Sequence, residues 1–340
     1  MNFSLDKKQL YLQKGWVVCL LALVCCLLWG SAFPCVKIGY ELFNIQASDT
    51  ASQILFAGVR FTLAGILATL IGSCLSRKIL VPKKSSWKLI IVLCLVQTVS
   101  QYLFFYIGLA NTSGVKASII EASNVFLAIL LSAVVFRYEK LGFAKILGCL
   151  LGFGGIILIN ITDGSFDTSM TFLGEGFILL SAISYALSSV LIKTFSKKEN
   201  PVVLSGYQFF IGGLIMVIVG LGMGGTLTGF TVQSTFLLLY LAFISAAAYS
   251  IWGILLKHNP VSKVTVYGFT NPVFGVILSA LILNEQNQAF TLNGLFSLIL
   301  VSIGIFIVNY DFSKLKNKFS KNKKSPNNNE NIDENPPNNQ

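Results

Sequence analysis

Apolar residues dominate ten separate stretches of the chain, each about twenty residues long and each bounded by short polar segments. About twenty residues are needed for a helix to cross the hydrocarbon core of a bilayer. Within each stretch the apolar residues continue around the whole helix surface, which is typical of lipid-embedded helices. A membrane barrel would show alternating segments of about ten residues instead. The pattern therefore predicts an all-α polytopic membrane protein with ten transmembrane helices.

The predicted spans form two groups of five. The first group covers 16–37, 51–75, 87–108, 115–136 and 141–161. The second group covers 171–193, 201–222, 235–256, 264–283 and 290–310. We expect domains at 16–161 and 171–310, a connecting loop at 162–170, a cytoplasmic arm at 1–15 and a polar, disordered tail at 311–340. The first span is too long for a signal peptide and no small-residue cleavage site follows it, so we interpret it as a retained helix.

Composition and charge agree with a membrane protein. The 340 residues are 54% hydrophobic and only 11% charged, whereas soluble domains are about 25% charged. The short loops leave no room for a soluble catalytic domain, which excludes a cytosolic enzyme and a nucleic-acid-binding protein despite the net charge of +11. With the amino terminus inside, 22 of the 25 Lys and Arg residues fall on the cytoplasmic side. This distribution predicts that both termini are cytoplasmic in the plasma membrane.

The two halves of the chain contain an internal repeat. Residues 57–72 (AGVRFTLAGILATLIG) match residues 205–220 (SGYQFFIGGLIMVIVG) at an offset of 148, and Tyr102 and Asn124 fall on Tyr249 and Asn271 at an offset of 147. Each repeat has five spans, so equivalent helices cross the membrane in opposite directions, as two inverted five-helix repeats. Secondary transporters use this construction, with substrate sites near the midplane between the repeats. A duplication kept only for packing is the alternative interpretation.

The chain contains a series of short motifs: Trp29 to Pro34 with Lys37, Arg60-Phe61, Gly108-Leu109 followed by Thr112-Ser113, and Glu139. In order and spacing these motifs resemble the drug/metabolite transporter superfamily, in its ten-helix EamA branch. The resemblance implies four helices of each repeat around a central cavity, with the fifth and tenth helices at the side. It also implies transport of small metabolites such as amino acids and their derivatives, commonly outward. The second copy has a proline, Pro272, where the first has Asn124-Val125, so a broken fourth helix does not follow from the resemblance.

The residues needed for catalysis are not found in the sequence. His258 is the one histidine, so a His-ligated metal site lacks ligands, and the acids are too scattered for an in-membrane aspartate pair. There is no Gly-Lys-Ser/Thr loop for phosphate, so we expect neither ATP hydrolysis nor a cofactor, and transport would depend on a gradient or on a partner.

Two charged residues are predicted to lie inside spans, where charges are costly and often functional. Arg60 would lie ~14 Å and Glu121 ~9 Å from the outer helix ends, at ~1.5 Å per residue. They could therefore meet. A static ion pair, with Lys116 as a further partner, is one interpretation. A substrate-contacting or proton-carrying role for Glu121 and Arg60, or snorkelling of Arg60, are the others.

Aromatic and amide side chains supply the remaining site candidates. As a group they are typical of an apolar cavity with a few polar contacts, although helix-to-helix hydrogen bonding explains any one of them equally well. The candidates are Trp29, Gln97, Gln101, Tyr102, Asn124, Tyr185, Tyr249, Trp252, Tyr267 and Asn271. We expect Trp29, Tyr102 and Tyr249 to face one central space, because the two tyrosines occupy equivalent positions in the repeat.

The leading interpretation is a secondary transporter that exports a small amphipathic metabolite, with the lipid bilayer as its surroundings and no nucleic acid partner. Import or exchange is a variant of it. A receptor or scaffold that does not transport is the main alternative, and a membrane-embedded enzyme is less favoured.

Overall fold

The computed structural model describes residues 11–137, 142–159, 161–162, 165–166, 171–259, 264, 266–289 and 291–309. The motif residue Glu139, the polar tail and most of the connecting loop at 162–170 lie outside these ranges.

The first half contains five helices that match the five predicted spans. The largest difference is at the end of the first helix, which was predicted to end at Lys37 and ends at Leu42. The helices are α1 (Gly15–Leu42), α2 (Thr50–Ser76), α3 (Lys84–Ala110), α4 (Gly114–Val135) and α5 (Phe143–Ile159). A pair of two-residue antiparallel strands follows, Ile161–Thr162 and Ser165–Phe166.

The second half repeats this order with five further helices. Two short helical turns accompany them, Val266–Phe269 before α9 and Gln286–Ala289 after it. The helices are α6 (Phe172–Gly176 continued by Phe177–Phe195), α7 (Pro201–Gly222), α8 (Val232–His258), α9 (Thr270–Ile282) and α10 (Leu292–Asn309). Seven of the ten are long and apolar enough to cross a membrane, and α5, α9 and α10 are shorter apolar helices. The chain is a multi-pass membrane protein, and its described residues form ten apolar helices of this kind.

Helices α3 and α4 are irregular in their middle parts. Seven residues of α3, Cys94–Ser100, form a π-helical stretch. In α4 the α-helical pattern stops at Glu121 and starts again at Ser123, although this half has no proline at that place. Such irregularities often mark functional sites. The interruption of α4 falls at the buried acid that the sequence singled out.

Glycines bring the backbones of α2 and α7 into direct contact. A methyl group added to Gly65 would lie 2.3 Å from the backbone nitrogen of Phe210 and 2.6 Å from the carbonyl oxygen of Gly206. A methyl group added to Gly213 would lie 2.8 Å from the carbonyl oxygen of Gly58. Close approach through small residues is the usual packing of membrane helices, because lipid provides no hydrophobic drive between them.

These contacts are reciprocal between the two halves. Gly58 and Gly206 are equivalent in the repeat, as are Gly65 and Gly213. In the structure Gly58 packs on Gly213, and Gly65 packs on Gly206. Helices α5 and α10 behave likewise, since Gly155 packs on Ser297 and Val301 while Gly304 packs on their counterparts Gly148 and Gly152. A two-fold axis between the halves produces this pattern. The contacts therefore agree with the predicted inverted repeats.

We expect Gly65→Val to destabilise the folded protein, because the new side chain must push apart two backbones. Overpacking costs ~1–3 kcal/mol in well-packed interiors, and backbone clashes fall at the upper end. Thermal unfolding in detergent micelles measures the effect. Gly154→Val is the matched control, since no atom lies within 4 Å of its added methyl position. Equal stability of the two variants would contradict the account of the glycine contact.

Candidate functional site

Two tyrosines meet at the centre of the bundle. The hydroxyl groups of Tyr102 on α3 and Tyr249 on α8 lie 2.9 Å apart, and these residues are equivalent in the repeat. The rings of Phe61 and Phe209, another equivalent pair, stack with centroids 5.3 Å apart. The ring of Phe61 also contacts that of Tyr102, and the ring of Phe209 contacts that of Tyr249. The four rings therefore lie at the two-fold axis.

Trp29 joins this centre from α1. Its ring packs edge-on against Tyr249 at 5.4 Å and against Trp252 at 5.2 Å between centroids. The structure thus brings Trp29, Tyr102 and Tyr249 together, as the repeat predicted.

Arg60 is buried and donates three hydrogen bonds. Its Nε bonds the carbonyl oxygen of Leu241 at 3.0 Å, and its terminal nitrogens bond the hydroxyl groups of Tyr106 at 2.6 Å and Ser245 at 3.1 Å. These partners lie on α3 and α8. Arg60 therefore links its helix to both repeats and does not snorkel to a surface.

The predicted ion pair between Arg60 and Glu121 is wrong. Among the ion pairs of the described residues, none joins these two side chains. Lys116 contacts a different carboxylate, that of Glu175, at 3.8 Å between Nζ and Oε1. Similar depth along two helices gave no information on the direction in which the side chains point, and Arg60 points toward α8.

Gln208 is the counterpart of Arg60 in the second repeat. It bonds Gln97 at 2.5 Å and accepts a hydrogen bond from Thr98 at 3.2 Å, and Thr98 is itself the counterpart of Ser245. The same geometry therefore occurs twice, once with a charged residue and once with an amide. Gln97, predicted as a cavity residue, is used in this helix-to-helix contact.

Glu121 lies at the interruption of α4, with only 8% of its surface exposed. Its Oε2 has no partner in good hydrogen-bond geometry in the described part of the chain, and the hydroxyl group of Ser181 on α6 lies beside the carboxyl group. Tyr102 and Tyr185 lie close enough to interact electrostatically with the carboxyl group. The counterpart of Glu121 in the second repeat is Gly268, so only one half carries this acid.

Other buried polar atoms of the predicted site are also unpartnered within the described ranges. They are Nε1 of Trp29, Oε1 of Gln101 and Oδ1 of Asn271. A buried polar atom without a partner costs ~1–3 kcal/mol, so such atoms indicate a place where a ligand or water can bind. Asn124 is half-buried and makes no hydrogen bond to another described residue.

Trp252 and Tyr267 lie next to the central group of rings, in a separate apolar cluster. Both pack in an apolar cluster with Val18 and Leu255, and the carbonyl oxygen of Tyr267 accepts from the thiol of Cys26 at 3.4 Å. The ring of Trp252 contacts Trp29 of the central group, whereas Tyr267 forms its hydrogen bond to α1 through its backbone carbonyl oxygen.

Two carboxylates hold the start of α4 at one end of the bundle, which we name the Glu285 end. Glu285 accepts from the backbone N–H groups of Gly114 and Val115 at 3.1 and 3.0 Å, and it lies 3.8 Å from Nζ of Lys37. Carboxylates are favourable at the positive end of a helix dipole. Gly114 belongs to the first repeat and Glu285 to the second, so this contact joins the two halves at this end of the bundle.

Glu175 adds a second contact at the same end. It accepts from the hydroxyl group of Thr112 at 2.7 Å and from the backbone N–H of Thr171 at 3.1 Å. Neither Glu175 nor Glu285 was among the residues that the sequence singled out. For Glu175, its place in the first turn of the helix that begins at Phe172 was the signal that could have identified it.

Glu199 lies in the loop between α6 and α7 and contacts the other end of α3. We name this opposite end of the bundle the Glu199 end. The carboxylate of Glu199 accepts from the N–H of Lys83 at 3.0 Å and the hydroxyl of Ser86 at 2.7 Å. Burial raises the pKa of Glu199, but these hydrogen bonds, one from the Asn200 N–H and the charge of Lys83 outweigh it and hold the pKa below its ordinary value. The contact is therefore lost only in acid, as pH falls through the lowered pKa.

A crevice of about 150 Å³ opens near the Glu199 end between α2, α7 and α8. Its lining includes Ser76, Asn200, Ser250 and His258. Ser250 follows Tyr249 directly in the chain, and its buried hydroxyl group has no partner among the described residues. The residues that line the crevice do not include Trp29, Tyr102, Glu121 or Tyr249.

Comparisons with known proteins agree with this architecture. The model of the EamA-like transporter family matches residues 16–161 and 172–310. A WAT1-related chloroplastic protein of Arabidopsis thaliana is 26% identical over 83% of this chain and 67% of its own length. An uncharacterized transporter of Synechocystis is 30% identical over 76% of this chain and 80% of its own.

Two further similarities cover most of the chain. A probable amino-acid metabolite efflux pump of Escherichia coli is 26% identical over 84% of this chain and 93% of its own length. A crystal structure with 17% identity superimposes with a TM-score of 0.61 over 91% of this chain and 99% of its own, which shows a shared fold.

Arg60→Met should lower the stability of the protein, because it leaves the Tyr106 hydroxyl and the Leu241 carbonyl group without their buried donor. We expect a loss of ~2 kcal/mol or more, measured as thermal unfolding in detergent. Arg77→Met, at an exposed position just after the end of the same helix, is the control. Recovery of stability when Glu121→Gln is added to Arg60→Met would show that the two charges are paired after all.

Proposed function

The chain belongs to the EamA-like transporter family, and on this basis we propose that it exports a small amphipathic metabolite across the plasma membrane by alternating access. The family implies a transporter of small molecules embedded in a membrane, not an enzyme. An amino acid or an amino acid derivative is the cargo we propose. The name of the Escherichia coli relative, which refers to amino-acid metabolites, supports this choice.

The observation that carries the proposal is the arrangement of the central site. Aromatic rings from both repeats meet at the two-fold axis, and buried polar atoms without partners surround them. Midplane sites between inverted repeats are where secondary transporters bind substrate. An apolar pocket with a few polar groups is the usual form of a small-molecule site. The candidate contacts are Trp29, Gln101, Tyr102, Glu121, Tyr185, Tyr249, Trp252 and Asn271.

The two ends of the bundle differ in a way that supports alternating access. At the Glu285 end, carboxylates and direct packing of Gly114 on Ser279 join α4 to α9. Near the Glu199 end there is a crevice between α2, α7 and α8. We propose that the Glu285 end is the closed end in this state. Opening of that end requires Glu285 to release the start of α4.

The distribution of basic residues supports a cytoplasmic position for the Glu199 end. Lys83, Lys84 and Lys198 lie there, and loops rich in Lys and Arg remain inside when they are short. The Glu285 end then faces outward, and a metabolite that enters from the cytoplasm would leave there.

Reversible locking of the Glu285 end tests the proposal. An added methyl position on Gly114 lies 3.1 Å from Cβ of Ser279, close to the ~3.5–4.5 Å that a disulfide requires. We therefore expect Gly114→Cys with Ser279→Cys, in a background without the seven natural cysteines, to form a disulfide that stops transport. Proteoliposomes filled with a mixture of amino acids and amines are placed under an imposed pH gradient. Mass spectrometry then measures which compounds leave.

The expected result is efflux of one or more compounds from the reduced protein and at least a tenfold lower rate after oxidation. The single variants Gly114→Cys and Ser279→Cys are the controls, because they carry the same side chains without a bond. Absence of efflux from the protein without any lock would refute transport and favour a receptor or scaffold. Equal efflux with and without the disulfide would refute opening at the Glu285 end.

A further inference from the structure

We propose that the carboxylate of Glu121 receives the ammonium group of the transported molecule, while the aromatic rings beside it hold the apolar part of that molecule. The substrate class is then a small amine or amino acid with an unmodified ammonium group. This inference rests on the proposed transport function, because it assigns a role to a residue of the same central site.

The first argument is the lack of a partner for Glu121. Its carboxyl group is buried at the interruption of α4, and no described Lys, Arg or His side chain forms an ion pair with it. An isolated carboxylate in a low-dielectric interior is unfavourable by several kcal/mol, so a charged partner is strongly favoured when one is available.

The nearby cations are committed elsewhere. Arg60 donates to Leu241, Tyr106 and Ser245, on the side of α8. Lys116 forms its ion pair with Glu175 at the Glu285 end. A positive charge beside Glu121 would therefore come from outside the described protein, as the ammonium group of a bound molecule does.

The surroundings of the carboxyl group suit an ammonium group in particular. An ammonium group has three N–H donors and no acceptor. The hydroxyl groups of Ser181, Tyr102 and Tyr185 lie near the carboxyl group of Glu121, and their oxygens can accept hydrogen bonds. Aromatic faces attract cations by ~0.5–2 kcal/mol, more when the site is dry. A carboxylate with aromatic neighbours is therefore complementary to an organic cation.

The rest of the site suits an apolar body. From Tyr102 the aromatic surface continues through Tyr249 to Trp29 and Trp252, with ring centroids 5.2 to 5.4 Å apart around Trp29. Glu121 occurs on one side of this surface only, because its counterpart in the second repeat is Gly268. A molecule bound there would have one orientation, with its ammonium group toward α4 and α6.

Binding to the purified full-length protein in detergent tests this proposal without transport. The probes are two matched pairs that differ at the ammonium group: 2-phenylethylamine with 2-phenylethanol, and phenylalanine with 3-phenylpropionate. Isothermal titration calorimetry gives the affinities, and quenching of tryptophan fluorescence is a second readout. We expect the ammonium compound of at least one pair to bind ten times more tightly than its partner. The pair that shows the preference tells whether a free amine or an amino acid is recognised.

Glu121→Gln should remove this preference and leave the binding of the compound without an ammonium group unchanged. Glu41→Gln, at an exposed acid at the end of α1, is the control with the same change in charge and should keep the preference. Glu121→Asp keeps the charge and should keep a reduced preference, which guards against a Gln variant that does not fold.

Equal binding within both pairs by the unaltered protein would overturn the proposal, whatever the variants do. A preference that survives in a folded Glu121→Gln protein would overturn it as well. Failure of the transport function gives a different result, in which ammonium compounds bind selectively but no proteoliposome efflux occurs.

Discussion

The backbones of α2 and α7 come into close contact at Gly58, Gly65, Gly206 and Gly213. Lipid is as apolar as the helices, so contact of this kind must come from close packing of small residues. The glycines leave no freedom in how the two helices cross. Residues that stand between the glycines on each helix, such as Phe61 and Phe209, are therefore brought to the axis together. The hydroxyl contact between Tyr102 and Tyr249 follows from the same geometry.

The two halves share the same helix arrangement but carry different polar side chains at equivalent positions. Arg60 and Gln208 occupy one equivalent position, and each reaches the polar residue that the repeat places beside it, Ser245 or Thr98. An amide satisfies that position at low cost, whereas a guanidinium group also needs the Leu241 carbonyl group and a tyrosine hydroxyl. A two-fold frame with charges on one side can bind a molecule that is itself polar at one end. The asymmetry is therefore a property expected of a substrate site.

The sequence was sufficient for the helices and for the repeat, because hydrophobic length and the offset between halves are properties of the chain alone. It predicted that Tyr102 and Tyr249 meet, since a two-fold relation places equivalent residues at equal distances from the axis. It was wrong about Arg60 and Glu121, because depth along a helix does not determine the direction in which a side chain points. The partners of Arg60 became recognisable only once the positions of α3 and α8 were known. The roles of Glu175 and Glu285 in binding helix starts were missed, because loop acids were interpreted only as indicators of topology.

The central claim is that one site between the repeats is reached from both sides of the membrane in turn. A single cysteine at Ser181, beside Glu121, tests it most directly when the seven natural cysteines are absent and a membrane-impermeant thiol reagent is added to either face of sealed vesicles. Cysteines at Lys197 and at Glu41 serve as references for the inner and outer faces. The account predicts that Ser181→Cys reacts from both faces, Lys197→Cys only from inside and Glu41→Cys only from outside. Reaction of Ser181→Cys from one face only, or from neither, would contradict it.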